Sequence, residues 1–276
     1  LPKLKPDLQK ATRKTFSLLN KLSGVCEVKT CSGRWSEIDP ATAPSGFTMK
    51  QRKAWLNEKG KQKLLPYEAS TGNRYPDDQD RVDARNILLG GLSKVKGGIL
   101  APYQIIQKIK HSGLTEADAE MMVLQAQWDS LVESTLQGIY EFIKELRIKK
   151  VAELEASGIT SGEEYDKAVA LAEAEVTEKD LVNVLAMIDV SPSMTASAGH
   201  NITCMDLSIS LGILLSQLNR GPFKNMALSF SSEPIMFHFV DPSGKEYSLL
   251  RKYTTITRSM GYTTDIMKAM KLVLKV

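Results

Sequence analysis

Cysteine, histidine and aromatic residues are scarce in this chain. Three cysteines (Cys26, Cys31, Cys204) and three histidines (His111, His200, His238) in 276 residues exclude a disulfide-dense scaffold and leave few ligands for zinc. Cys26-x4-Cys31 is half of a zinc pattern, but its possible histidine partners are scattered singly. No run of eighteen apolar residues occurs, so neither a membrane span nor a membrane partner is expected. The phosphate-cradling Gly-x-x-x-x-Gly-Lys loop, the Gly-x-Ser-x-Gly nucleophile elbow and the His-Glu-x-x-His pair are all missing. A hydrolase built on Ser191 or Ser193 would need a base, for which His200 is the sequence neighbour. A metal-assisted hydrolase would want several carboxylates around its ion, and the visible loops supply one. A non-enzymatic role is therefore expected. The few, unpaired cysteines point to a reducing, intracellular and cytoplasmic setting.

What is present is an ordinary globular composition, 42% hydrophobic and 25% charged, enough for about two domains. The net charge of +4 hides a strong polarity. Residues 1–110 hold 21 Lys and Arg against 10 Asp and Glu, whereas residues 111–180 hold 6 against 16. Such polarity fits a basic arm that meets nucleic acid or another acidic surface, and it fits equally two regions that pack on each other. Within the basic arm, Lys50, Arg52, Lys53, Lys61 and Lys63 surround Trp55. Cations interleaved with an aromatic are what single-stranded RNA binding uses. The alternative is a solvated helix over 49–61 that turns Trp55 and Leu56 inward.

Apolar periodicity predicts helices over 6–22, 81–95 and 102–110. A longer helical stretch begins at Thr115-Glu-Ala-Asp118, and an Ala/Glu-rich helix runs over 162–178. The first 180 residues thus read as helical, basic over 1–110 and an acidic helical hairpin over 111–180. The pattern then changes. Leu181-Val-Asn-Val-Leu-Ala-Met-Ile188 is a continuous apolar run, as expected of a strand buried on both faces, and it stops at Asp189. Ser191 and Ser193 follow at once, placing a carboxylate and two hydroxyls in one short loop. Such hard oxygen ligands suit Mg²⁺. Thr203-Cys-Met-Asp206 has the form of a capping box before an apolar helix, and 226–230 and 235–240 read as two strands joined by a turn. Gly261-Tyr-Thr-Thr264-Asp265 then leads into a helix from Ile266.

The order Asp189-x-Ser191-x-Ser193, helix, two strands, Thr264 resembles a von Willebrand factor A domain. The resemblance implies a doubly wound, Rossmann-like α/β fold with a metal-ion-dependent adhesion site at Asp189, Ser191, Ser193 and Thr264. Asp189 would act mainly through water, and Mg²⁺ would keep a position open for the carboxylate of a partner protein. Pro192 departs from the small residue usual between the serines. Residues 181–276 would hold only the first half of such a domain, so the chain is expected to be a fragment of a longer polypeptide that works in a larger assembly. Trp35-Ser-Glu-Ile38, Leu100-Ala-Pro-Tyr103-Gln-Ile-Ile and Gln127-Trp128, in this order before the metal loop, resemble uncharacterised proteins with a helical region ahead of an A-like domain. Those are distantly similar to Ro/TROVE RNA-binding proteins, which implies RNA as a second possible partner.

Overall fold

The structure, a computed structural model, describes residues 6–59, 73–110, 112–177, 184–199, 201–230, 233–259 and 265–274. In chain order the helices are α1 (Pro6–Leu22), α2 (Cys26–Cys31), α3 (Ser45–Trp55), α4 (Gln79–Gly90), α5 (Pro102–Lys110), α6 (Ala119–Ala156), α7 (Glu163–Glu173), α8 (Cys204–Leu218), α9 (Leu249–Thr257) and α10 (Ile266–Val273). The strands are β1 (Ala186–Asp189), β2 (Ser197–Gly199), β3 (Ile202–Thr203), β4 (Met226–Phe230) and β5 (Met236–His238). No described helix is long and apolar enough to cross a membrane. The chain is thus mixed, with many helices, a three-stranded sheet and a two-stranded antiparallel ribbon of β2 and β3, and it divides into two compact units. One comprises residues 1–96 and 118–126, the other residues 97–117 and 127–276. The boundary expected at residue 180 falls inside the second.

The first unit is a helical cluster around Trp55, which is fully buried and meets Phe47 edge-on with ring centroids 5.7 Å apart. Ile38, Leu56, Leu88 and Val123 complete the packing. Spacing explains the choice: Phe47, Arg52 and Trp55 lie on the buried side of α3, while Lys50 and Lys53 stay in water. Arg52 is matched by Glu120 of α6, with Nε 2.8 Å and Nη2 2.6 Å from Oε1. Both side chains are buried, so each charge depends on the other. Asp80 on α4 ties in a distant turn by accepting from the Trp35 N–H (2.7 Å), the Ser36 N–H (3.1 Å) and the Ser36 hydroxyl (2.5 Å). Burial alone would raise its carboxyl pKa. These three bonds outweigh that and hold it below the ordinary range.

In the second unit, β1 and β4 are parallel with α8 between them in sequence, and β5 runs antiparallel to β4, giving the order β1-β4-β5. α8 sits hard against β1. A Cβ on Gly212 would lie 2.3 Å from Cγ1 of Ile188, itself fully buried, so only glycine permits this approach. Glycine does the same at Gly97, where an added Cβ would fall 1.7 Å from the Gln127 carbonyl oxygen. One residue on, Trp128 is buried and donates from Nε1 to Gln217 Oε1 (2.5 Å). Gln217 donates in turn to Glu246 (2.7 Å), which also receives the buried ammonium of Lys252. Burial pushes the pKa of that ammonium down, and the bond to Glu246 acts against this.

α6 starts four residues later than expected. The pattern Thr115 to Asp118 forms a loop and turn, and the helix begins at Ala119. The Ala/Glu-rich helix is shorter than expected and ends at Glu173.

Gly212→Ala is expected to destabilise the second unit by about 1–3 kcal/mol through overpacking. In an Ile188→Ala background the same Gly212→Ala change should cost less in denaturant titrations, because the atoms that the new methyl meets are gone. A Gly212→Ala protein as stable as the wild type would show that α8 moves freely on β1.

Candidate functional site

β1 delivers Asp189 to the carboxyl end of a parallel strand, where α/β sheets bind ligands. The backbone then folds back on the side chain, because the Ser191 N–H donates to Asp189 Oδ1 (2.9 Å). This Asx turn leads into a 3-10 turn, Pro192–Thr195, with Pro192 in its first position. There a fixed φ is an advantage and the missing N–H is no loss, so proline is compatible with the local backbone. The turn carries Ser193 round to Ser191, and their hydroxyl oxygens lie 2.8 Å apart. Ser191 is buried and Ser193 exposed, while Asp189 is half-buried. The second carboxylate oxygen of Asp189 has no hydrogen-bond partner among the described residues. One carboxylate and two hydroxyls on a short hydrogen-bonded loop are hard oxygen donors, a fit for Mg²⁺ with water completing its shell.

Ser208, which the sequence alone does not single out, supports this loop from α8. Its hydroxyl accepts from the Asp189 N–H (3.0 Å). Ser208 precedes Gly212 by four residues, so both lie on the side of α8 that meets β1. The start of α8 is itself anchored. Thr203 and Asp206 form the expected capping box, with the Thr203 N–H donating to Asp206 Oδ2 (3.0 Å) and the Asp206 N–H donating to the Thr203 hydroxyl (3.2 Å). Lys110 of α5 adds an ion pair to Asp206 Oδ1 at 2.9 Å. Burial works to raise the Asp206 pKa, and the bonds from Lys110 and Thr203 overcome it and lower it.

Thr264 lies outside the described residues, as does His200. Asp265 is described, and it caps α10 by accepting from the Lys268 N–H (3.0 Å). Among the described residues no group of three or more His, Cys, Asp or Glu side chains could hold a metal. Cys26 and Cys31, at the two ends of α2, are free thiols, and burial raises the pKa of Cys26.

The expected RNA contacts need correction. Lys61 and Lys63 lie outside the described residues, and Lys50 and Lys53 are exposed. Arg52 and Trp55 are buried, one neutralised by Glu120 and the other filling the core, so neither is available to a phosphate or a base. The inward-facing helix is what forms, and it ends at Trp55. Aromatics and cations meet elsewhere in the same unit. The Arg81 guanidinium lies 3.9 Å from the Trp35 ring centroid and 5.7 Å from that of Tyr75, and Arg74 lies 5.2 Å from Tyr75. Arg81 also donates to the Ala54 carbonyl. In the sequence Trp35 is only a landmark, and Arg74 and Tyr75 belong to a turn-rich stretch, so nothing local marks them as a cluster.

Residues 183–276 match a family described as a domain of unknown function, DUF7788. That match begins just before β1 and takes in the whole Asp189 loop. No curated protein and no solved structure matches the chain.

Because the folded pKa of Asp206 is depressed, its pairing stabilises the protein above the unfolded-state value of ~3.9 and is lost as the pH falls through the folded value. Thermal melts of Asp206→Asn should show a lower midpoint than wild type at pH 7. That deficit should begin to shrink below about pH 4, where the carboxyl of the unfolded chain takes up its proton, and go on shrinking until the depressed native carboxyl is protonated as well. A deficit that is the same at both pH values would show that Asp206 acts by shape alone.

Proposed function

We propose that the second unit carries the opening part of a von Willebrand A-type domain and works as a Mg²⁺-dependent interaction module, not an enzyme, within a larger assembly. The observation that carries this reading is the placing of Asp189, Ser191 and Ser193 on one hydrogen-bonded loop at the carboxyl end of β1. The parallel β1-α8-β4 crossover supports it, being the framework in which such a strand end becomes a ligand site. Ser191 and Ser193 would hold the ion through their hydroxyls and Asp189 through water, with Thr264 as the residue the resemblance adds. Bound there, Mg²⁺ supplies a Lewis-acidic position that a partner protein's carboxylate can occupy. The chain's own contribution is to fix the donors: the Asx turn holds Asp189 in place, and the 3-10 turn holds the two hydroxyls together.

Calorimetric titration with Mg²⁺ tests the reading. Asp189→Ala and the double variant Ser191→Ala/Ser193→Ala are each expected to weaken binding about tenfold or more, as loss of a metal-site group does. Ion binding that is unchanged in both variants would overturn the assignment.

A second reading, RNA binding by the first unit, is supported by the exposed Tyr75 and Arg74 and by exposed Lys50 and Lys53. Lys50→Glu/Lys53→Glu should then weaken binding to a single-stranded oligonucleotide and flatten its salt dependence, by about one unit of slope for each phosphate that a lysine no longer neutralises. An unaltered salt slope would remove this reading.

A further inference from the structure

α1 divides into two unlike sides. At about 100° per residue, Leu8, Phe16, Leu18, Leu19 and Leu22 gather on one side together with Ala11, Thr12 and Thr15. Lys10, Arg13, Lys14 and Lys21 lie on the other with Ser17 and Asn20. Among the described residues nothing covers the apolar side: Leu8, Leu18, Leu19 and Phe16 are 50–60% exposed and Leu22 is 75% exposed. The helix does not turn that side toward its own unit, since Ser17 and Asn20 line the groove it shares with Val28 and Cys31 of α2.

Two further features concern what such a face would meet. The hydroxyls on it are already satisfied by the helix, Thr12 donating to the Leu8 carbonyl (2.7 Å) and Thr15 to the Ala11 carbonyl (3.1 Å). Moving this side out of water therefore strands no hydroxyl donor, which would otherwise oppose entry into an apolar medium. The charges are also one-sided, with four cations against the single carboxylate of Asp7, and Lys3 and Lys5 precede the helix in the sequence. A broad Leu/Phe face backed by Lys and Arg is the arrangement of helices that lie in the headgroup region of a bilayer.

We propose that α1 docks the protein on an anionic lipid surface, lying in the interface with Leu8, Phe16, Leu19 and Leu22 below headgroup level and its cations against lipid phosphates and carboxylates. The absence of a spanning helix among the described residues concerns crossing a bilayer and does not bear on lying against one.

Cosedimentation of the full chain with large unilamellar vesicles tests this. Vesicles of phosphatidylcholine with about one-third phosphatidylserine should capture the protein, and vesicles of phosphatidylcholine alone should capture far less. Leu19→Asp/Leu22→Asp should abolish capture while leaving the circular dichroism spectrum intact, because both side chains are exposed. Lys10→Gln/Lys14→Gln should weaken partitioning by roughly fivefold for each cation removed. No capture by the mixed vesicles would overturn the proposal. Capture that the leucine substitutions do not change would also overturn it, by placing the affinity in the basic arm at large. Leucine-dependent binding to polyglutamate without vesicle capture would assign the face to an acidic protein and overturn it likewise.

Discussion

Asp189 stands where it does because α8 lies against β1 with no side chain between them at Gly212. That approach brings the rest of α8 within hydrogen-bonding range of the strand, and the helix then holds β1 at both ends. At one end the Ser208 hydroxyl accepts from the Asp189 N–H. At the other, Asn219, just past the last helical residue, accepts from the Val184 N–H (3.1 Å) and donates to the Val184 carbonyl (2.7 Å). A four-residue strand pairing with one neighbour among the described residues has little pairing energy of its own. These helix contacts stand in for a second neighbour. The position of the loop therefore depends on the seating of α8, and hence on the Thr203, Asp206 and Lys110 cluster that sets where α8 begins.

The charge polarity of the sequence finds part of its answer inside the molecule. Arg52 and Lys53, from the basic arm, both address Glu120 from the acidic stretch, and Lys110 addresses Asp206. Arg85 reaches Glu58 at 3.9 Å within the arm itself. Some of the cations that composition offers to a polyanion are thus committed to internal pairing, Arg52 most completely. Others stand in water, among them Lys10, Lys14, Lys50 and Arg74. The two sequence-level explanations, an external acidic partner and internal packing, divide the residues between them.

Legibility follows the range of the interaction. The bounds of α1, α5 and β4 and the capping box of α8 are set by periodicity and near neighbours, and reading the chain locally recovers them. Asp189, Ser191 and Ser193 can be grouped for the same reason, since all three belong to one short loop. Asp80 stands just ahead of the helix expected over 81–95, and nothing local shows that its bonds reach Trp35 and Ser36 across more than forty residues. Ser208 and Gly212 look like ordinary residues of an apolar helix until β1 is placed beside them. Thr115 to Asp118 lies in a loop and turn ahead of the helix, which forms where Ala119, Met121, Val123 and Leu124 find buried contacts. Arg52 and Trp55 show the same limit from the other direction. Their composition suits a nucleic acid, and their position on α3 commits them to the core.

The two hydroxyls of the Asp189 loop are paired with each other. Ser191 and Ser193 satisfy each other through one shared hydrogen bond, which uses one proton and one lone pair of the four lone pairs the two oxygens hold. Ser191, although buried, thus has a hydrogen-bond partner for its hydroxyl oxygen. A cation needs lone pairs, and those remain. In the proposed site a cation would be met by rotation about the hydroxyl C–O bonds, on a backbone that the Asx turn and the fixed φ of Pro192 restrict. Preorganisation of this kind lowers the entropic cost of binding. It also separates the roles of the three residues: Asp189 is committed through Oδ1 to shaping the loop and offers only its second oxygen outward, whereas the serines can turn their oxygens to whatever charge arrives.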